Sequence, residues 1–352
     1  MRKFVIAAAA LAALAAAGPA AAHDWQAHVG EQAKAPAGTP KQATLNQFFP
    51  GVLTVHEGDK VTFTSRGFHT VTFLANQAPA PLFVPDGSSY DGILDSTGAA
   101  FFFNSLAKLV YNLAAFAPQG GTVIDGSQQV SSGVIAPSED GKPGKVTYTF
   151  PKAGTYKLVC AIHPGMALTV VVKLKSAAIP GAKAVAGQAA KETSVAWAAA
   201  TRLAKTKVPA NTVYAGVGGK STLLAFLPAK LTVKVGTTVK FVNRSSSEPH
   251  NIAFGPAGYL TDFMKSTDLV PQGPGAPNQL SPALVYGTEA GGKYVYDGLN
   301  HGNGFLATPL LDTLPGTPLA DKAEVTFTKP GHYKYICLLH GSHMAGEIIV
   351  TP

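Results

Sequence analysis

The chain of 352 residues holds only two cysteines and four methionines. One cysteine lies in YKLVCAIHPGM, residues 156–166, and the other in YKYICLLHGSHM, residues 333–344. Each stretch sets a histidine three residues after its cysteine, and a methionine shortly after that: Cys160, His163 and Met166, then Cys337, His340 and Met344. A further histidine opens an apolar segment upstream, His69 in HTVTF and His250 in HNIAF, 91 and 87 residues before the respective cysteine. Two imidazoles, a thiolate and a thioether form a soft mixed donor set. Sulfur ligands suit Cu(I), imidazole suits both oxidation states, and His2Cys with a long axial Met is the ligand set of a blue copper electron-transfer site. Zinc accepts the same imidazoles and thiolate, but the thioether favours copper. One Cys160–Cys337 disulfide is the simplest alternative for a chain with two cysteines, if its compartment is oxidising. It is disfavoured because each cysteine has its own local partners, twice over.

The elements that must position these residues are also written twice. FFPGVLTVHEGDKVTF, residues 48–63, aligns with FLPAKLTVKVGTTVKF, residues 226–241, and FPKAGTYKLVCAIH aligns with FTKPGHYKYICLLH. Such self-similarity indicates a tandem duplication, with matched blocks near 46–174 and 222–351. Within the blocks, apolar and polar residues alternate with period two around turn residues such as Glu57-Gly58-Asp59, which predicts short half-buried strands and hairpins. Several such strands per copy predict an all-β fold of two β-sandwiches. A sandwich can bring the end of one strand, carrying His69 or His250, beside the loop that follows Cys160 or Cys337. Tyr156 and Tyr333, in Gly-x-Tyr at a strand start, are read as fold markers of the tyrosine-corner kind. Long Gly/Pro/Ser-rich inserts separate the blocks, near 76–140 and 255–320. The first contains FFFNSLAKLVYNLAAF, 101–116, predicted as a helix packed on the sandwich. KETSVAWAAATRLAKTK, 191–207, predicts a linker helix after a flexible Ala/Gly stretch.

At the N-terminus, Arg2 and Lys3 precede an apolar run and the small residues Ala20-Ala21-Ala22. That is the pattern of a secretory signal peptide. The expected organisation is a signal at 1–22, domains at 23–174 and 213–352, and a linker at 175–212 containing the helix. The location is then periplasmic or extracellular, without stable membrane insertion. The net charge of +8 comes from scattered lysines, which argues for solubility and against nucleic-acid binding.

With FHTVTF and CAIHPGM in the first copy, and PHNIAF and CLLHGSHM in the second, the two halves resemble cupredoxins, the plastocyanin/pseudoazurin-like blue copper proteins. The resemblance covers the strand-rich blocks and not the inserts or the linker. It implies a Greek-key sandwich in each half and two type 1 copper ions per chain. The ligands would be His69, Cys160, His163 and Met166, and His250, Cys337, His340 and Met344. It also implies that His163 and His340 reach the surface as electron ports, with Pro164 and Gly165 in the apolar patch around the first. The second loop has one residue more than the first. Alignment back from MAGEIIV to MALTVVV puts Met344 rather than the adjacent His343 in the axial place, with a bulge at Gly341-Ser342.

The function expected from this set is one-electron transfer between redox protein partners. A copper-buffering or delivery protein would use the same residues. Two-domain copper oxidases and nitrite reductases are disfavoured, because in that resemblance a histidine precedes the copper-binding cysteine. Val159 and Ile336 stand there instead, and paired His-x-His motifs are absent. His56 and His332 are expected at the surface, and His301 as a solvated loop residue. His23 would become N-terminal on cleavage, but no oxygenase-like feature accompanies it. AGVGGKST, 215–222, lacks the first glycine of a phosphate-binding loop.

Overall fold

A computed structural model describes residues 22–31, 35–267, 279–314 and 317–352. The segment read as a signal peptide lies outside the described residues, Ala22 excepted. The chain is mostly β. In the N-terminal half, a four-stranded sheet runs in the order Gly144–Thr149, Lys60–Ser65, Asp24–Val29 and Phe48–Phe49. A six-stranded sheet runs Val52–His56, Ala167–Lys173, Gly154–Val159, Thr72–Phe73, Val130–Ser132 and Pro118–Gln119. The period-two pattern is why both sheets have an apolar face. Trp25, Ala27 and Val29 alternate inward with Val61 and Phe63 of the neighbouring strand, and meet Leu168, Val170 and Val172 of the other sheet in one buried cluster.

The C-terminal half repeats the plan. Lys293–Tyr296, Lys322–Phe327, Thr238–Ser245, Thr212–Gly218 and Ser221–Leu227 form one sheet, and Lys230–Lys234, Gly341–Thr351, Gly331–Cys337, Ala253–Phe254 and Leu306–Ala307 the other. Corresponding strands pair in the same sense. Asp24–Val29 runs parallel to Lys60–Ser65, as Thr212–Gly218 does to Thr238–Ser245. The correspondence therefore reaches further towards the N-terminus than the matched sequence blocks. Tyr156 donates from its hydroxyl to the Lys152 carbonyl at 2.9 Å, and Tyr333 to the Lys329 carbonyl at 3.1 Å, so the two tyrosines close equivalent corners.

Two expectations need correction. Residues 101–116 are not one helix. Ser105 has a left-handed backbone (φ 75°), which ends any helix begun at Phe101. Ala107–Tyr111 is a strand paired with Phe83–Ser89, and only Leu113–Phe116 forms a helical turn, capped by Asn112. Tyr90, Phe101 and Phe103 pack against Leu260, Phe263 and Phe305 of the second insert, not against the sheets of their own half. In the linker, the Ala/Gly stretch is itself helical. Ala182–Leu203 is one helix of 22 residues, as alanine's helix propensity allows. The small side chains of Ala189, Ala196 and Ala200 let it approach Leu45, Val217 and Leu223 closely, with Trp197 filling the remaining space.

The halves are interlocked. Ala43–Leu45, from before the first matched block, adds as an edge strand to the second half's sheet, pairing Leu45 with Ser221. Its neighbour Asn46 takes a backbone bond from its amide to the Lys220 carbonyl at 2.9 Å.

Asp59 anchors the first strand. Buried at 3% exposure, it accepts from the His23 and His56 backbone amides at 2.9 Å each and from the Trp25 indole at 2.8 Å. Burial alone would raise its pKa. These donors outweigh burial and hold it below the ordinary carboxylate value. Its contribution to stability is therefore complete above the unfolded pKa and lost as pH falls through the lower folded one. Asp59→Asn should cost about 1–3 kcal/mol at neutral pH. The gap from wild type should shrink in acid denaturation series below about pH 4.

Candidate metal centres

In the first half, His69 enters from the scaffold and Cys160 from the end of Gly154–Val159. His69 is held by Ile135, whose amide donates to the His69 carbonyl at 2.8 Å. Its ring turns Nδ1 to within 3.1 Å of His163 Nδ1, and Cys160 Sγ lies 3.4 Å from His163 Nδ1 and 4.0 Å from His69 Nδ1. The second half reproduces this. His250 Nδ1 and His340 Nδ1 are 3.2 Å apart, and Cys337 Sγ lies 3.4 Å and 3.9 Å from them. Leu311 bonds His250 through both its amide and its carbonyl. Thus the backbone of each insert clamps the scaffold histidine. In each triad the ligand atoms all lie within 4.8 Å of one another.

Those spacings fit a small metal ion. Donors bound to one ion at about 2.0–2.3 Å lie roughly 3–4 Å apart. Both cysteines are free and buried. Burial would raise each thiol. The imidazoles beside them, His163 and His69 for Cys160, and His340 and His250 for Cys337, more than offset it and hold both thiols well below their ordinary value. The Thr70 amide also donates to Cys160 Sγ at 3.3 Å.

The methionines fall in equivalent places. Val159 pairs with Ala167, the residue after Met166, and Ile336 pairs with Ala345, the residue after Met344. Met166 and Met344 are buried in the same clusters as Cys160 and Cys337 respectively. The extra residue of the second loop is absorbed ahead of Met344, where the register shifts and Cys337 pairs with Gly341. His343 is exposed.

Several residues not singled out from sequence shape the centres. Gly30 and Gly216 both have positive φ, 73° and 72°. A Cβ there would sit 2.3 Å from His69 Nε2 and 2.2 Å from His250 Nε2, so only glycine leaves room for the scaffold rings. Gly216 belongs to the AGVGGKST stretch and lies in a bulge between Ala215 and Val217. Thr70 Oγ1 accepts from the Ala161 amide at 2.7 Å, and Asn251 Oδ1 from the Leu338 amide at 2.8 Å. In each half the residue after the scaffold histidine thereby pins the residue after the cysteine. The position after a ligand is the signal that would have found them.

The loop histidines depart from the expectation of surface ports. Their side chains are only 12% and 16% exposed, and both turn Nε2 towards the carboxylate of Glu248. His301 is not solvated either. It lies against Phe101, with Nδ1 3.1 Å from Asp95 Oδ2, and so joins the two inserts. His332 is exposed beside Glu347, and His56 is half-buried, with Nε2 2.9 Å from the Ala177 carbonyl.

Residues 213–281 match the family described as copper binding proteins, plastocyanin/azurin family. Plastocyanins of Ulva arasakii and Ulva pertusa are each 38% identical over 76 residues, covering 20% of this chain and 76% of theirs. The chain belongs to this copper-binding plastocyanin/azurin family. Similar solved structures include a mutant amicyanin in its Cu(I) form, with 21% identity, 42% of this chain and 88% of that one covered, and a TM-score of 0.23. A mutant fern plastocyanin has 20% identity, 40% and 99% coverage and a TM-score of 0.22.

The place of Met344 is open to direct measurement in a copper-loaded Cys160→Ser background. Met344→Leu should raise the potential of the remaining centre by weakening axial donation. His343→Ala should leave potential and visible spectrum unchanged. The reverse pattern in a redox titration would reassign the axial ligand.

Proposed function

We propose that the protein is an exported blue copper electron carrier with one type 1 copper in each half. His69, Cys160, His163 and Met166 would hold the first ion, and His250, Cys337, His340 and Met344 the second. The observation that carries this reading is the same convergence of two Nδ1 atoms and one Sγ in both halves, each beside a buried methionine. Copper supplies a one-electron couple. The chain supplies thiolates kept ionised in an apolar cluster and imidazoles clamped by neighbouring backbone.

On this reading the sheets of each half form a Greek-key sandwich. Residues 23–174 and 213–352 are then the two cupredoxin-like domains, with 175–212 as the linker. Cleavage after Ala22 would leave the His23 amine 2.9 Å from the Asp59 carboxylate, a favourable place for a new positive charge. Among the described residues no helix is long and apolar enough to cross a membrane.

Burial favours a carrier over a delivery protein. Cys160 and Cys337 are 4% and 0% exposed, which suits retention of an ion rather than rapid handover. Val159 and Ile336 lie in the strands' pairing ladders beside the cysteines, so no histidine there links a further metal. Redox partners are proteins on this reading. With the loop histidines turned inward, such partners must use a face other than the ring tips.

Copper analysis with a visible spectrum of the oxidised protein tests the proposal. Two coppers per chain and an intense blue band are expected, and Cys160→Ser and Cys337→Ser should each remove about half of that band, since the thiolate is its source. A copper-loaded but colourless wild type would refute it.

A further inference from the structure

Glu248 is an acidic residue buried where the two halves meet. Its residue is 9% exposed. Oε2 lies 2.9 Å from His340 Nε2, and Oε1 lies 3.8 Å from His163 Nε2. The first is a hydrogen bond, with the ring donating. The second is an ion-pair separation rather than a hydrogen bond. Oε1 also accepts from Asn46 Nδ2 at 3.1 Å, and Asn46 itself is tied to Ser247 at 3.0 Å. The carboxylate is therefore fixed by the segment that interlocks the halves.

The ring geometry gives this contact a consequence. Both loop histidines turn Nδ1 towards their cysteine and Nε2 towards Glu248. A carboxylate at Nε2 keeps the proton there and leaves Nδ1 free as a ligand atom, the usual way an outer partner orients a metal-binding imidazole. One carboxylate does this for one histidine in an ordinary site. Here it faces two, one from each half.

The arrangement is asymmetric. Two residues before the scaffold histidine stands Glu248 in EPH, but Gly67 in GFH. The first half has no acid at that sequence position, though Glu31 Oε2 comes within 3.0 Å of where a Gly67 Cβ would lie. Glu31, the other carboxylate whose charge acts on His163, is engaged by the Leu45 amide at 3.0 Å.

We infer that Glu248 is a positioning residue shared by both candidate metal centres, which joins them through His163 and His340 into one coupled pair. The inference rests on the preceding reading that these histidines are ligands through Nδ1. It goes beyond that reading because it makes the first centre depend on a residue of the second half.

The test uses full-length copper-loaded protein with one centre silenced. Cys337→Ser leaves the first centre to report, and Cys160→Ser the second. Each is compared with and without Glu248→Gln, which keeps the shape and removes the charge. Loss of that charge should favour the reduced state at both centres, changing each reduction equilibrium constant by roughly tenfold, the order by which losing an outer partner changes metal affinity or activity. Glu248→Asp, which keeps the charge, should hold back most of the shift. A shift at the second centre alone, or at neither, overturns the inference. A metal-free arm separates this from failure of the copper reading, which would show as a colourless wild type. In nitrogen-15-labelled metal-free protein, Glu248→Gln should move the ring-nitrogen signals of His163 and His340 together. Movement of His340 alone would overturn the shared role whatever the metal.

Discussion

A thiolate buried in an apolar core is the constraint on which the rest of this structure depends. Cys160 and Cys337 each sit among aliphatic and aromatic side chains, where a lone anion would be driven to its neutral form. The paired imidazoles beside each sulfur favour the charged form. The surroundings can then be understood as means of keeping two rings and one sulfur at their separations. Backbone bonds from the inserts hold the scaffold histidines, Thr70 and Asn251 pin the residue after each cysteine, and glycines at 30 and 216 leave space behind the rings. These supports are near-equivalent in the two halves although the side chains that provide them differ.

The two His/Cys/His clusters could be picked out in the sequence because they are rare types at a spacing that occurs twice. The strands were legible because period-two alternation has few other causes. Other features were less so, for physical reasons. FFFNSLAKLVYNLAAF has enough apolar residues for a helix, yet Ser105 takes a left-handed conformation that no propensity scale signals. By composition the Ala/Gly stretch before residue 191 reads as flexible, whereas it forms the first turns of Ala182–Leu203, with Val185 and Ala189 buried. His301 looked solvated because its partners, Asp95 and Phe101, come from the other insert, far away in the chain. Contacts between the two halves leave no local periodic trace.

Glu248 belongs to the same class. Within its own half its partner is His340 at 2.9 Å, 92 residues away in the chain. Its meaning comes from His163, which the interlock of Ala43–Leu45 with Ser221–Leu227 brings to the opposite side of the seam. That interlock, the linker helix and the joined inserts hold the halves face to face. They turn two separate sites into neighbours. The ring tips expected at the surface are instead turned towards each other.

Pulsed electron-spin dipolar spectroscopy on the doubly copper-loaded, fully oxidised protein tests that central claim most directly. Two spins in one chain should give a single narrow dipolar splitting, unchanged on dilution of the protein. It should vanish when either cysteine is replaced by serine. A protein with blue copper in both halves but no intramolecular splitting, or with a broad spread of spin separations, would contradict the account.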